Sequence, residues 1–332
     1  MRDFDQLGRR EAIRLLFEGS GYEPFQSGRS AAAKDLNAVM AQRVMLEGTD
    51  FNLVYFPLKH LGYKAVAAVT GELYASLANP SFLSIRLGVS AKLGFEQIKE
   101  LWDGIVTAAR EFGYGGIDLD LQPSQNGLTI SMGALGTAED SGKHTPASKD
   151  LLCVSGALGA AFFGLKVLER GLGNFEAGKE DRSELEKYRM LVAAYLKPEV
   201  PAGLPDALKE AGISPTAMAF VDRGLADALL RIRLQTGLGV KVYADKIPFE
   251  GGSFEFGKTL NADPVSAAMN GGEDFRILMA IPPSAYESFR KDFQTFDIIG
   301  HLAQSDVGAV LVSPDGLEHP VSAPGWPSSE EE

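Results

Sequence analysis

The stretch formed by residues 46–65 constrains the fold most, because it joins a glycine turn, a polar tip and the beginning of a long helix. Residues 47–50 set two carboxylates and a hydroxyl around Gly48, which can adopt positive φ. Pro57 follows, and proline is tolerated in a first helical turn because its missing N–H would have no partner there. Apolar residues then keep close to helical spacing: Leu58, Leu61, Ala65, Val66, Val69 and Leu73. The pattern predicts a core helix whose preceding loop either only caps it or projects ligand-binding groups.

Composition limits the functional classes. The chain has 332 residues, enough for two domains with separate cores. Its net charge of -12 argues against a protein that follows nucleic-acid phosphates. No run approaches the roughly 20 apolar residues of a membrane helix, and residues 1–16 carry charges where a signal peptide needs an apolar run. We therefore expect a cytoplasmic protein with no nucleic-acid or membrane partner. The single cysteine, Cys153, excludes an internal disulfide framework and lies in a predicted buried strand.

Hydrophobic periodicity predicts helices and strands in both halves of the chain. Helices are expected at residues 11–17, 57–79, 95–112, 157–172, 183–196, 205–211, 225–235, 265–269 and 284–293. Strands are expected at residues 37–45, 82–89, 117–121, 128–135, 151–154, 217–221, 240–243, 276–281, 296–300 and 309–312. The polar, turn-rich residues 139–149 predict a linker. These patterns favour two layered α/β domains, residues 1–148 and 149–332.

Six short motifs stand out in the sequence: LEGTDF at 46–51, YFPLKHLGYKA at 55–65, CVSGALGAA at 153–161, Lys197-Pro198, NGGED at 270–274 and Gly325-Trp326. Together they resemble the thiamine-monophosphate kinase family of the aminoimidazole-ribonucleotide-synthetase-like superfamily. The resemblance implies an α/β (α+β) fold with two domains. The N-terminal domain would carry the ATP and metal site and form a dimeric β-barrel, and a C-terminal layered α/β domain would close the cleft. It also implies ATP and Mg²⁺ as cofactors, a homodimer, and conversion of thiamine monophosphate to thiamine diphosphate.

The metal-binding motifs of that family consist of carboxylates, because Mg²⁺ prefers octahedral oxygen ligands. In this chain, five positions that would carry such acids are substituted: Arg29, Ser30, Arg43, Phe220 and Arg223. The acid that follows Ser-Gly in the second domain is likewise replaced, by Ala157. The resemblance leaves Glu72 and Asp120 as weak metal-binding positions.

The resemblance also assigns the binding positions for nucleotide and substrate, and no catalytic residue. The nucleotide would meet Asp118, Asp120, Lys143 and Asp222, although Gly115-Gly116 allow a shifted alignment with Asp118. The substrate would meet Asp50, Glu273 and Trp326. Trp326 either stacks on a cationic thiazolium or anchors the C-terminal tail. The pair Glu273-Asp274 either faces the substrate or holds a turn through carboxylate–backbone hydrogen bonds.

These observations favour a catalytically impaired thiamine-monophosphate-kinase-like protein, a pseudoenzyme that retains a pocket for a thiamine phosphate or a nucleotide. One alternative is an active kinase with an altered metal set of Glu72, Asp118 and Asp120. Another is a non-catalytic regulatory or structural partner of an intact kinase paralogue, and residues 82–89 are expected near a subunit interface.

We also expect arginines to pair with carboxylates where the family binds magnesium, since guanidinium forms bidentate pairs with them. The expected arginines are Arg29, Arg43 and Arg223, and the expected acids are Glu72, Asp118 or Asp120, and Asp222.

Overall fold

The computed structural model describes residues 37–138, 145–176 and 183–323, which form two β-sheets covered by helices. The elements of the N-terminal half are β1 (Ala38–Leu46), α1 (Leu58–Tyr74), β2 (Ala78–Ser90), α2 (Phe95–Glu111), β3 (Gly116–Ser124) and β4 (Thr129–Ala138). Those of the C-terminal half are β5 (Leu151–Val154), α3 (Ala160–Glu176), α4 (Ser183–Lys187), α5 (Arg189–Leu196), α6 (Leu204–Glu210), β6 (Ala217–Val221), α7 (Leu225–Thr236), β7 (Gly239–Tyr243), α8 (Ser253–Leu260), α9 (Pro264–Asn270), β8 (Arg276–Ile281), α10 (Tyr286–Asp292), β9 (Asp297–Ala303), β10 (Ala309–Val312) and β11 (Glu318–Pro320). The mixed α/β class agrees with the prediction.

The N-terminal sheet has four strands in the order β1-β4-β2-β3, antiparallel except for the parallel pair β2 and β3. Helices α1 and α2 cover one face, where strand residues such as Ile85 and Met132 are buried. On the other face, Met40, Val44 and Phe82 remain more than two fifths exposed. The described sheet is open, so the dimeric barrel stays a prediction.

Helices α1 and α2 approach each other closely because each carries a glycine at the crossing. A Cβ atom at Gly62 would collide with the carbonyl oxygen of Leu101, and one at Gly104 would collide with that of Lys59. Only a residue without a side chain fits at either position. The two glycines therefore allow the backbones of α1 and α2 to come into direct contact at the crossing.

The C-terminal sheet has seven strands in the order β11-β10-β7-β9-β5-β8-β6. The buried strand predicted around Cys153 is confirmed as β5, in the middle part of this sheet. The hydrophobic core extends from Val66 of α1 to Phe220 and Phe275 of the C-terminal half, so α1 is shared between the two sheets. This shared helix brings residues of both halves to one place.

Two sequence expectations differ from the structure in detail. The helix expected at 183–196 is two helices, because Tyr188 leaves the helical conformation and packs its ring 4.8 Å from that of Phe256. The strands β3 and β4 follow one another in sequence but do not pair, since β2 lies between them. The helix predicted at 11–17 lies outside the described residues. In the described ranges, no helix combines the length and the apolar character needed to span a bilayer.

Candidate functional site

The candidate site lies where β1 and α1 meet the loops that follow β6 and precede β8. Arg43 of β1 is its central cation. Its Nη1 lies 2.8 Å from Oδ2 of Asp222, and its Nη2 lies 2.8 Å from Oε1 of Glu273. Both acids belong to the C-terminal half, so one guanidinium joins the two halves of the chain. The expected pairing of Arg43 with Asp222 is confirmed.

Lys64 adds a fully buried ammonium group to this network. Its Nζ lies 2.9 Å from Oε2 of Glu273 and donates a hydrogen bond of 2.8 Å to the carbonyl oxygen of Tyr195. The same nitrogen stands 3.8 Å from the centre of the Tyr195 ring, with Phe56 and Phe275 next to it. Burial lowers the pKa of Lys64, and the negative charge of Glu273 opposes that shift. Glu273 therefore forms ion pairs with two elements of the N-terminal half, β1 through Arg43 and α1 through Lys64.

Asp222 is the most buried acid of the network, with 3 % of its side chain exposed. Burial by itself would raise the pKa of Asp222, but the guanidinium groups of Arg223, Arg231 and Arg43 outweigh it and the pKa is lowered. Arg223 was also expected to pair here, but it makes only a long contact with Asp222. Its Nε lies 3.9 Å from Asp222, and 40 % of its side chain is exposed.

Phe220 occupies a position where the resemblance implies an acid. Its side chain is completely buried and lies 5.1 Å, between ring centres, from Phe275. A Cβ atom at Gly71 of α1 would collide with the Phe220 ring, so the ring packs directly on that helix. A buried aromatic ring packed on α1 therefore stands where the resemblance implies a carboxylate.

The expectation that Asp118 or Asp120 joins this network is wrong. In the register of the sheet, Arg43 shares a row with Met132 of β4, Ile85 of β2 and Leu119 of β3. Because neighbouring residues of a strand point to opposite faces, Asp118 and Asp120 face away from Arg43. They lie 2.7 Å and 3.9 Å from nitrogens of Arg86, on the outer face.

In the segment 270–274, one acid makes ion pairs and the other holds the turn. Glu273 has a φ of 63°, an uncommon conformation for a residue other than glycine, and makes the ion pairs described above. Asp274 instead holds the turn, because its carboxylate accepts hydrogen bonds from the backbone N–H groups of Gly159 and Ala161. Burial raises the pKa of Asp274 to about 6.

A cavity of about 400 Å³ opens beside Glu273. Its lining comes from the loop that was singled out in the sequence, from α3 and from α5: Gly48, Thr49, Asp50, Phe51, Asn52, Tyr55, Leu165, Glu169, Leu172, Tyr195 and Glu273. Three of these side chains are carboxylates, and none is cationic. The carboxylate of Asp50 also accepts a hydrogen bond of 2.7 Å from the N–H of Leu46, which fixes the loop.

The implied Mg²⁺ does not fit this arrangement. The ion requires oxygen ligands at about 2.0–2.1 Å in near-octahedral geometry. The acids best placed to supply them, Glu72 and Asp222, are bonded to guanidinium nitrogens of Arg231 and Arg43. Among the described residues, no three Asp, Glu, His or Cys side chains form a group that could hold a metal ion.

Four residues named in the sequence analysis, Arg29, Ser30, Lys143 and Trp326, lie outside the described residues. Sequence reasoning also missed four residues of the site: Lys64, Glu169, Tyr195 and Arg231. Lys64 carried a usable signal, because it stands at helical spacing from the apolar residues Leu61 and Ala68 of α1. A second, weaker signal was the position of Arg231 four residues after Asp227, a spacing at which helical side chains pair.

Comparisons with known proteins find similar sequences and folds over most of the chain. A thiamine-monophosphate kinase of Rhodopirellula baltica is 25% identical over 255 residues, which are 76% of this chain and 71% of that protein. The crystal structure of thiamine monophosphate kinase from Aquifex aeolicus gives a TM-score of 0.78 at 20% identity, covering 96% of this chain and 100% of that one. A structure of AaThiL complexed with AMPPCP and TMP gives 0.77 at 19% identity, covering 98% of each chain.

In sequence the chain resembles thiamine-monophosphate kinases, and it has the fold of their solved structures. The resemblance to thiamine-monophosphate kinases is thereby confirmed. The hydrogenase maturation protein HypE of E. coli shares the fold as well, with a TM-score of 0.67 at 18% identity over 96% of this chain and 98% of that one. No family model matches the chain.

Proposed function

We propose that this protein binds a thiamine-type ligand in the cavity beside Glu273 and does not transfer a phosphoryl group. The observation that carries the proposal is the lining of that cavity, with three carboxylates, two tyrosine rings and no cationic side chain. Such a lining favours a flat organic cation, since carboxylates attract its charge and aromatic faces attract cations. Thiamine and its phosphates carry a permanently cationic thiazolium ring. A volume of about 400 Å³ suits a ligand of that size.

The network around Arg43 supports the absence of phosphoryl transfer. Kinases of small molecules rely on metal ions to neutralise the transferred phosphate. Here Arg43 and Arg223 stand at two positions where the resemblance implies acids, and Asp222 is bonded to guanidinium groups. Losing a metal site removes several kcal/mol of transition-state stabilisation, and about 1.4 kcal/mol is already tenfold in rate. The altered-metal alternative lacks support, because Asp118 and Asp120 lie on the sheet face opposite to Arg43.

Isothermal titration calorimetry with thiamine, thiamine monophosphate, thiamine diphosphate and ATP tests the proposal. We expect at least one of the three thiamine compounds to bind with the same affinity with and without Mg²⁺. Glu169→Gln, which removes a carboxylate of the cavity, should weaken that binding roughly tenfold, or about 1.4 kcal/mol. Glu186→Gln, an exposed glutamate of α4 outside the cavity, is the matched control. Binding of ATP alone, or binding that requires Mg²⁺, would contradict the proposal.

A second candidate function is that of a subunit that associates through the outer face of the N-terminal sheet. That face carries the exposed side chains of Met40, Val44, Phe82 and Leu135 around a depression of about 540 Å³. Exposed apolar patches of this kind mark association surfaces. The partner would be a second copy of this chain or an intact kinase paralogue.

Analytical ultracentrifugation distinguishes these partners, first with the protein alone and then with the paralogue added. We expect a dimer at micromolar concentration, and we expect Val44→Lys to dissociate it. Leu234→Lys, at an exposed leucine on α7, should leave it intact. A monomer under both conditions would contradict this second candidate.

A further inference from the structure

The guanidinium group of Arg231 is surrounded by oxygen atoms on all of its nitrogens. Its Nη1 lies 3.1 Å from Oε1 of Glu72, and its Nε lies 3.1 Å from Oδ2 of Asp227. Its Nη2 lies 3.2 Å from Oδ1 of Asp222 and also contacts the carbonyl oxygen of Phe220. One side chain thus meets three carboxylates and a carbonyl.

These oxygens come from both halves of the chain. Glu72 lies on α1 beneath the N-terminal sheet, whereas Phe220 and Asp222 lie at the end of β6, and Asp227 lies in the first turns of α7. Arg231 itself belongs to α7, so its bond to Glu72 crosses from one half to the other. It acts in parallel with Arg43, which contacts the other carboxylate oxygen of Asp222.

Without a cation between them, these acids would repel one another. At most 19 % of each of their side chains is exposed, so water screens them poorly. Burial raises the pKa of Glu72, and Arg231 opposes that shift. Carboxylate and carbonyl oxygens are also the ligands that hard divalent cations take in proteins. The oxygens around Arg231 are thus of the type that binds a divalent cation, but they stand at the longer spacing of N–H···O contacts, and the described acids form no metal-binding group at that spacing.

We propose that Arg231 is a resident cation that replaces a divalent ion in holding Glu72, Asp222 and Asp227 together across the two halves of the chain. It follows that the folded protein needs no metal ion for its stability. It also follows that removing the guanidinium leaves an oxygen site that Mg²⁺ or Ca²⁺ enters after a small inward movement of the carboxylates. This inference concerns the ligand-free protein and is independent of the ligand proposed above.

Thermal unfolding with and without MgCl₂ or CaCl₂, at constant ionic strength, tests the inference. Wild-type protein should melt at the same temperature with and without divalent ions. Arg231→Ala should melt at a lower temperature than wild type, and saturating Mg²⁺ or Ca²⁺ should raise its Tm by at least about 2 °C. The double variant Glu72→Gln with Arg231→Ala should lose that response, because one ligand is removed. Arg233→Ala, at an exposed arginine of the same helix, should behave like wild type.

Two results would overturn the inference: a wild-type Tm that rises with Mg²⁺ or Ca²⁺ as much as that of Arg231→Ala, or an Arg231→Ala variant that responds to neither ion. If Arg231→Ala does not fold in metal-free buffer, recovery of folding on addition of Mg²⁺ or Ca²⁺ supports the inference. If it folds in neither condition, Arg231→Gln, which keeps a donor for the Phe220 carbonyl, decides the matter by the same Tm comparison.

Discussion

Arg43 and Asp222 are 179 positions apart in sequence, yet Nη1 of Arg43 lies 2.8 Å from Oδ2 of Asp222. The pair joins the first described strand to the loop after β6. Because Arg43 also binds Glu273, a single guanidinium sets how the two halves of the chain meet beside the cavity.

Replacing Arg43 should destabilise the protein far more than replacing an exposed arginine. Arg43→Met leaves Asp222 buried with fewer cations and removes one partner of Glu273. Breaking a buried pair in this way costs about 3–5 kcal/mol. Arg110→Met, on the exposed side of α2, should change the free energy of unfolding by less than about 0.5 kcal/mol. Urea denaturation measures both, and equal effects of the two variants would refute the assignment.

Lys64 and Glu273 should be energetically coupled. Each single variant, Lys64→Met or Glu273→Gln, leaves the other residue without its 2.9 Å partner, whereas the double variant leaves neither charge unpaired. The double variant should therefore be less destabilised than the sum of the single variants, by at least about 1 kcal/mol. A double-mutant cycle measured by urea denaturation gives this coupling energy, and additivity would mean that the ion pair contributes nothing.

Two glycine substitutions should have opposite effects on stability, because only one of the glycines lies at the close crossing of α1 and α2. Gly62→Ala places a methyl group against the backbone of Leu101, so it should destabilise the protein. Gly173→Ala, in α3, meets no atom within 4 Å and should stabilise it by about 0.4–1 kcal/mol. Thermal unfolding of the two variants checks the signs. A Gly62→Ala protein as stable as wild type would show that α1 and α2 do not approach each other this closely.

Asp274 should give stability an unusual dependence on pH. Its pKa is raised from 3.8 to about 6 in the folded protein, mainly by burial. Between these values the folded state holds a proton that the unfolded state has lost. The free energy of unfolding therefore falls as pH rises from about 4 to about 6, and Asp274 contributes up to about 3 kcal/mol to that fall. Asp274→Asn should remove that component, whereas Asp103→Asn, at an exposed aspartate, should keep it. Identical pH profiles of wild type and Asp274→Asn would contradict the shift.

Much of the fold was predictable from the sequence, because periodicity is strong in its long elements. The amphipathic pattern of α2 and the alternation in β2 located both elements within a few residues. Resemblance then placed Arg43 and Asp222 near one site, but it assigned Glu273 to the substrate end and missed its contact with Arg43. The prediction that Asp118 or Asp120 joins the network failed because it placed them on the wrong face of the sheet. A shift of one residue moves every side chain of a strand to the other face. Arg231 was missed because two of its three carboxylates, Glu72 and Asp222, lie in other segments that only the folded chain brings to it.

The central claim is that guanidinium groups stand where phosphoryl transfer would need metal ions. Chromatographic detection of thiamine diphosphate, after incubation with thiamine monophosphate, ATP and Mg²⁺, tests it most directly. We predict no thiamine diphosphate above an enzyme-free control. Turnover that is lost in Asp120→Asn would contradict the claim and establish an active kinase with an altered metal set.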